Sequence, residues 1–423
     1  TPLARAREVA RQVVEALRGH GGVDRIEVAG SLRRMRETVK DVDILVTSTD
    51  PARVLGTFVS LPSVAAVTAQ GPTRAAVRHR SGLAIDLRVV EPEAFGAALQ
   101  YFTGSKEHNV RTREIAARRG LRLSEYGVFD ERTGRRVAGA TEEEVYAAIG
   151  LPWVPPELRE NQGEIEAARE GRLPALVDVA DLRGDLHAHT DWSDGRLPLE
   201  RLVEAAEARG YEYIIVSDHS RSLTIARGLD VEALREQGRR IRALQPRVRT
   251  CILAGTECDI LEDGRLDFPD EVLAELDVVV AAVHSRFGQS RAEMTRRIVR
   301  ALGNPWVNVL AHPTGRRLGT REPYDVDMEA VLAAAREHGK AVEINASPER
   351  LDLGDAHARR AAALGVPVAV SSDTHALAEL DHVALGIAVA RRAWLGPADV
   401  LNTRPAAALL AWARPGRADA AGR

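Results

Sequence analysis

The chain is poor in cysteine, lysine and aromatic residues. Cys251 and Cys258 are its two thiols in 423 residues. They make neither a disulfide framework nor a CxxC ligand pair, so a reducing cytoplasm is the simplest compartment. Lysine occurs only at Lys40, Lys106 and Lys340, so nearly all positive charge is arginine. Long apolar runs are missing as well. The longest are short and bounded by charge or glycine, far from the roughly 20 residues of a membrane span, and no membrane partner is expected. No secretory signal is present, and the first residue is Thr1 rather than Met, which reads as a fragment or a processed product.

What is there suits a multidomain globular protein. The apolar fraction of 45% is enough to build cores. The net charge of −3 is unevenly spread: residues 1–155 carry 23 Lys and Arg against 19 Asp and Glu, and the remainder 35 against 42. An acidic half suits a site that gathers cations, and a mildly basic one can meet phosphates.

Periodicity divides the chain. Val9, Val13, Val14 and Leu17 share one helical face, ended by Gly19, Gly21 and Gly22. Strand signals follow at 26–30, 41–47, 74–79 and 83–90. The last three read as antiparallel neighbours in a small mixed sheet. Helices are expected near 93–102, 110–119 and 142–149, giving an α+β segment. Residues 151–181, rich in proline and charge, read as a linker that partly packs on its neighbours. From Gly184 seven short strands recur, each followed by a helical pattern. Runs such as Val278–Val283 are apolar throughout, the mark of a parallel strand covered on both faces. Seven β/α units in series predict a barrel related to the TIM architecture.

The strand ends of this second segment carry repeated chemistry. His187 and His189 end the first strand, and Asp194 follows in the loop. His219 follows the second, Glu257 ends the third, His284 the fourth and His312 the fifth. Asp373 and His375 follow the seventh. Residues two apart on a strand project to one side, and the C-terminal rim of such a barrel is where active sites are built. Imidazole with carboxylate suits Mn²⁺, Zn²⁺ or Fe²⁺. Nine ligands are too many for one ion and fit two or three, with Glu257 able to bridge. Hydrolysis of a phosphoester by metal-activated water is the chemistry expected. Arg286, Arg316 and Arg317 stand near these positions and are candidates for holding phosphate.

The series Asp185-Leu186-His187-Ala188-His189, Ser193-Asp194-Gly195, Ser217-Asp218-His219, Gly255-Thr256-Glu257, Val283-His284, Ala311-His312-Pro313 and Ser372-Asp373-Thr374-His375 resembles the motifs of the PHP (polymerase and histidinol phosphatase) family. The resemblance covers about 182–423. It implies one metal held by His187, His189, Glu257 and Asp373, a second by Glu257, His284 and His312, and a third by Asp194, His219 and His375.

The first segment carries a second signature. Gly30-Ser31-Leu32-Arg33-Arg34 offers a turn whose N–H groups can meet a phosphate. Asp41 and Asp43 aim two carboxylates to one side, and Asp86 lies on a strand able to pair beside them. Three convergent carboxylates make a site for two Mg²⁺ ions. With Tyr101-Phe102-Thr103-Gly104-Ser105, Asn109 and Ser124–Phe129, this segment resembles the palm and thumb of family X DNA polymerases. The resemblance implies a palm at 1–103 and a thumb at 104–150, with Asp41, Asp43 and Asp86 catalytic and Mg²⁺ or Mn²⁺ at the palm. Gly30, Ser31 and Arg34 would grip the triphosphate, Tyr101, Phe102 and Gly104 would meet the sugar, and Asn109 the minor groove. Lys40 stands where that family has glycine.

The expected whole is an α+β nucleotidyltransferase palm with a small thumb, followed by a distorted TIM-like (β/α)7 PHP barrel. The expected activities are gap filling by the palm and Mn²⁺-dependent 3′→5′ exonuclease or phosphoesterase action by the barrel, in base excision or break repair. DNA and deoxynucleoside triphosphates would be the partners of a cytoplasmic, nucleoid-associated monomer. The alternative is a phosphatase of small phosphoesters, such as histidinol phosphate, with a vestigial palm.

Overall fold

A computed structural model describes residues 1–20 and 22–414. Gly21 and the end of the expected 182–423 domain lie outside the described residues. The chain forms two units, Thr1–Pro174 and Ala175–Arg423.

In the first unit the opening helix, Leu3–Gly19, buries Leu3, Ala6, Val9, Ala10, Val13 and Leu17, a stripe at helical spacing. Five strands follow: β1 (Arg25–Val28), β2 (Asp41–Thr47), β3 (Val64–Gln70), β4 (Arg74–His79) and β5 (Ala84–Val89). Their order is β1-β2-β5-β4-β3. β2 and β5 run parallel, whereas β1 pairs antiparallel with β2 and β4 antiparallel with β5. The sheet is therefore mixed, but the antiparallel expectation for the last three predicted strands fails for the β2–β5 pair. Gly30 opens a one-turn helix, Gly30–Arg33, instead of ending a strand. The helices Phe95–Thr103, Lys106–Arg118 and Glu142–Ala148 follow, with a small antiparallel sheet of β6 (Leu121–Ser124), β7 (Gly127–Asp130) and β8 (Arg136–Ala138) between the last two.

The start of the segment read as a linker is knitted into this unit. Arg159, fully buried, donates from Nη1 to Glu142 Oε1 (2.6 Å) and from Nε to the Val154 carbonyl (2.8 Å). Glu142 also accepts two bonds of 2.8 Å from Arg33 and one of 3.0 Å from Trp153. Glu164 pairs with His108 Nδ1 at 2.6 Å, both fully buried. Buried charge is tolerated only when paired in this way.

The second unit is a seven-stranded parallel sheet: β9 (Gly184–Asp185), β10 (Tyr213–Val216), β11 (Cys251–Asp259), β12 (Val278–Ala282), β13 (Val309–Leu310), β14 (Ala341–Asn345) and β15 (Val368–Ser371), in sequential order. Each strand is followed by a helix. Leu186, Ile215, Leu253, Val280, Val309, Ala341 and Ala369 form one inner cluster with Leu409 of the final helix. Ile214, Val216 and Ile252, on the other face, pack on Leu202, Val203 and Ile241 of the surrounding helices. Burial on both faces explains the unbroken apolar runs. Past their ends the first and last strands meet: His189 N donates to the Thr374 carbonyl at 2.9 Å, with a parallel bridge between Ala188 and Thr374. The result is a nearly closed, distorted TIM-like barrel. No described helix is long and apolar enough to cross a membrane.

Candidate active sites

All nine ligand candidates of the barrel converge at the C-terminal rim. Glu257, 1% exposed, lies among them. Its Oε2 faces His187 Nε2 (3.3 Å), His189 Nε2 (3.5 Å) and His219 Nδ1 (2.9 Å). Its Oε1 faces His284 Nε2 (3.2 Å) and His312 Nε2 (2.8 Å). Asp373 Oδ1 lies 3.6 Å from His187 Nε2 and 3.2 Å from His189 Nε2. Asp194 Oδ1 lies 3.5 Å from His219 Nε2 and 3.3 Å from His375 Nε2. Three sets have ligand atoms within 4.8 Å of one another: His189, Asp194, His219 and His375; His187, His189 and Glu257; and His219, Glu257 and His284. Among the described residues, no set of this kind falls in the first unit.

The donors fit metal ions. His187 Nε2, both nitrogens of His189, His219 Nδ1 and His312 Nδ1 are buried without a hydrogen-bond partner. Buried polar atoms are rarely left so, and the nitrogens of His187, His189 and His219 that face Glu257 suit cations. Burial and neighbouring charges divide the imidazoles into two groups. His189 and His312 are pushed down to about 4 and about 3, first by burial and then by the neighbouring His219 and Arg350 respectively. His219 and His375 are also opposed by burial. They nonetheless rise to about 10 and about 9, through Glu257 and Asp194 for His219 and through Asp194 and Asp373 for His375. His312 and Asp373 have positive φ, 28° and 54°, a backbone cost that tends to be kept where a site needs it.

An outer layer aims these groups. His187 Nδ1 pairs with Glu343 Oε1 at 2.8 Å, and His284 Nδ1 with Asp259 Oδ1 at 2.5 Å, so in each ring Nε2 is turned to the centre. Asn345 Nδ2 donates to Asp373 Oδ2 at 3.0 Å. Asp218 accepts from Thr190 N (2.8 Å), Thr190 Oγ1 (2.6 Å) and Gln237 Nε2 (2.6 Å), bracing the loop that carries Asp194. Sequence reasoning missed Glu343 and Asp259. The signal was present: Glu343 sits in a strand buried along its whole length, where a carboxylate needs a partner, and Asp259 lies two residues past Glu257.

The predicted phosphate arginines fare differently. Arg316 donates to the carbonyls of Arg350 (3.0 Å) and Leu351. Arg286 is exposed and pairs with Glu262 at 3.2 Å. Arg317 lines the cavity over the site, as do Arg321 and Arg350, which were not singled out.

In the first unit, the β2–β5 register sets Asp43 beside Asp86, with Asp41 two residues earlier on β2. Burial, then the charges of Asp41 and Asp86, raise Asp43 to about 6, the sign of converging carboxylates. Arg74 Nε donates to Asp86 Oδ1 at 2.7 Å. Gly30 has φ 65°, and a Cβ there would sit 2.5 Å from Asp43 Oδ2, so only glycine brings the Gly-Ser turn against this strand. Ala29 N holds the Asp43 carbonyl at 2.8 Å, which fixes the start of the turn against β2. Arg34 is engaged by Glu160 (3.1 Å) and the Thr103 carbonyl (2.5 Å), which ties the turn to the Tyr101–Gly104 stretch. Tyr101 and Phe102 meet edge to face, with centroids 5.1 Å apart. Asn109 donates to the Tyr101 carbonyl (2.6 Å) and accepts from Gln100 (2.8 Å), so it props this stretch from below.

A carboxylate-bearing palm with a thumb, joined to a histidine-rimmed barrel, defines a two-site protein of the polymerase-and-phosphoesterase class. The DNA polymerase beta thumb model matches residues 98–160, and the PHP domain model matches residues 185–347. The chain is 40% identical over 406 residues to the DNA polymerase/3′-5′ exonuclease PolX of Bacillus subtilis (strain 168), covering 95% of this chain and 71% of that protein. It is 31% identical over 235 residues to a probable phosphatase of Thermoanaerobacter sp. (strain X514), covering 52% of this chain and 89% of that one. A polymerase beta structure from Leishmania infantum overlaps 38% of this chain and 76% of its own at 27% identity, with a TM-score of 0.34. The chain belongs to the PolX family of DNA polymerase/3′-5′ exonucleases.

Proposed function

We propose that the protein extends DNA 3′ ends from deoxynucleoside triphosphates at its palm and removes 3′ nucleotides at its barrel, filling short gaps and trimming ends in base excision or break repair. The observation that carries this reading is Glu257, whose two oxygens face two separate groups of histidines at the rim. The phosphatase alternative is set aside, because the polymerase/exonuclease relative matches along 95% of this chain and the phosphatase along 52%.

Bound divalent cations would supply Lewis acidity toward phosphate oxygens at both sites, Mg²⁺ or Mn²⁺ at the palm and two or three of Mn²⁺, Zn²⁺ or Fe²⁺ at the barrel. The chain supplies the rest. Asp41, Asp43 and Asp86 would hold the palm cations. Gly30, Ser31 and Arg34 grip the triphosphate, Gly30 and Ser31 through backbone N–H groups. Tyr101, Phe102 and Gly104 flank the incoming sugar, and Asn109 meets the minor groove. In the barrel His187, His189, Glu257 and Asp373 would hold one cation, Glu257, His284 and His312 a second, and Asp194, His219 and His375 a third. Residues 1–103, 104–150 and 182–423 serve as palm, thumb and phosphoesterase. The protein acts as a monomer in the bacterial cytoplasm, at the nucleoid.

The test uses a labelled primer–template with Mn²⁺, with and without nucleotides. His189→Ala is expected to abolish degradation and keep extension, and Asp43→Ala to do the reverse. Both activities surviving both changes would reject this assignment of sites.

A further inference from the structure

The cavity above the barrel rim, about 760 Å³, is larger than the cluster of ligands requires, and its wall is not uniformly polar. Phe287 and Ile225 line it, and Ile225 is 91% exposed. An isolated exposed isoleucine is unremarkable on a surface, but here it stands on the loop after His219, as Phe287 stands on the loop after His284. Phe287 is built in. Its ring stacks on Tyr324 with centroids 6.1 Å apart and planes 15° apart, and the Arg321 guanidinium lies 4.3 Å from its centroid. Tyr324 is itself fixed, donating to the Pro313 carbonyl at 2.8 Å. Gly315 makes room for it: a Cβ there would sit 2.4 Å from Tyr324 Cε1. Arg321 is held by its Nε bond to the Gly315 carbonyl (2.8 Å). Arg350 lines the same cavity at 9% exposure, with Nη1 lacking any hydrogen-bond partner.

A bare phosphomonoester would use the arginines and leave the aromatic wall idle. A nucleotide at the end of a strand uses both, because its base offers a flat face and its linkage a phosphate. We propose that Phe287 seats the terminal nucleobase of an unpaired 3′ end, while Arg350 and Arg321 take phosphate oxygens of the same strand. This rests on the reading of the barrel as a DNA 3′-end phosphoesterase and adds how the end is recognised.

The test compares two single-stranded oligonucleotides with Mn²⁺, identical except that one ends in an abasic residue. The intact protein is expected to prefer the base-bearing end by roughly tenfold in kcat/KM, the size of one base–aromatic stack. Phe287→Ala should bring that preference close to one, and Phe287→Tyr should keep it. A preference unchanged in Phe287→Ala, or absent from the intact protein while it still degrades both strands, overturns the platform alone. Intact protein that degrades neither strand overturns the reading of the barrel as well.

Discussion

The two sites hold charge in opposite ways. In the barrel, His187 and His189 are fully buried and an outer layer of carboxylates turns the ligand rings inward. In the palm, Asp41 is exposed, Asp43 and Asp86 are half-buried, and Arg74 occupies an oxygen of Asp86. One centre has its imidazoles held in place by hydrogen-bonded carboxylates, whereas the other has three carboxylates on a sheet face whose mutual repulsion a cation would relieve. The difference lies in the support: hydrogen-bonded carboxylates fix the barrel's imidazoles, and no such layer surrounds the palm's carboxylates among the described residues.

Four measurements press on that contrast. Glu257→Ala has the largest expected effect, on the order of 10³-fold loss of Mn²⁺-dependent degradation with loss of bound metal by elemental analysis, because both histidine groups lose their common partner. Extension should persist, and equal loss of extension would show that the sites are not independent. Gly30→Ala should lower extension on the order of 100-fold, since the added carbon meets Asp43 Oδ2, and leave degradation intact in the same gel assay. Glu343→Gln should weaken metal affinity roughly 10- to 100-fold, read by titration with Mn²⁺, with the fold unchanged by circular dichroism. Intact affinity would mean that the outer layer does not preorganise the barrel.

The smallest effect on chemistry, though not on stability, belongs to Glu142. Its carboxyl is opposed by burial, but Arg159 and Arg33 hold it well below the usual carboxylate range. The folded-state value is depressed, so its stabilisation is present at neutral pH and is lost as pH falls below roughly 4–5, where the unfolded chain takes up the proton. Glu142→Ala should destabilise the first unit by about 3 kcal/mol at pH 7. The gap in melting temperature between the variant and the intact protein should narrow in acid.

Legibility in the sequence followed the same divide. The barrel could be read because each strand end repeats one kind of ligand and each strand is apolar on both faces. The palm's carboxylates could be read from Asp41 and Asp43, but not their parallel partner: alternation in β5 tells which face Asp86 takes, not which strand lies beside it. β3 was missed because its Val64–Gln70 stretch is mostly exposed and made of small residues, with no face to reveal it. The helix Pro51–Val59 was missed although Asp50 caps it, accepting from Arg53 N at 3.0 Å. Arg316 and Arg350 lie 34 positions apart and are joined by the Nε bond of Arg316 to the Arg350 carbonyl, a relation that spacing does not encode.

Closure of the barrel falls between the segments that carry His187 and His189 and those that carry Asp373 and His375. A chain still emerging from the ribosome therefore holds most of the cluster, yet cannot bring its halves together until β15 has been made and docked.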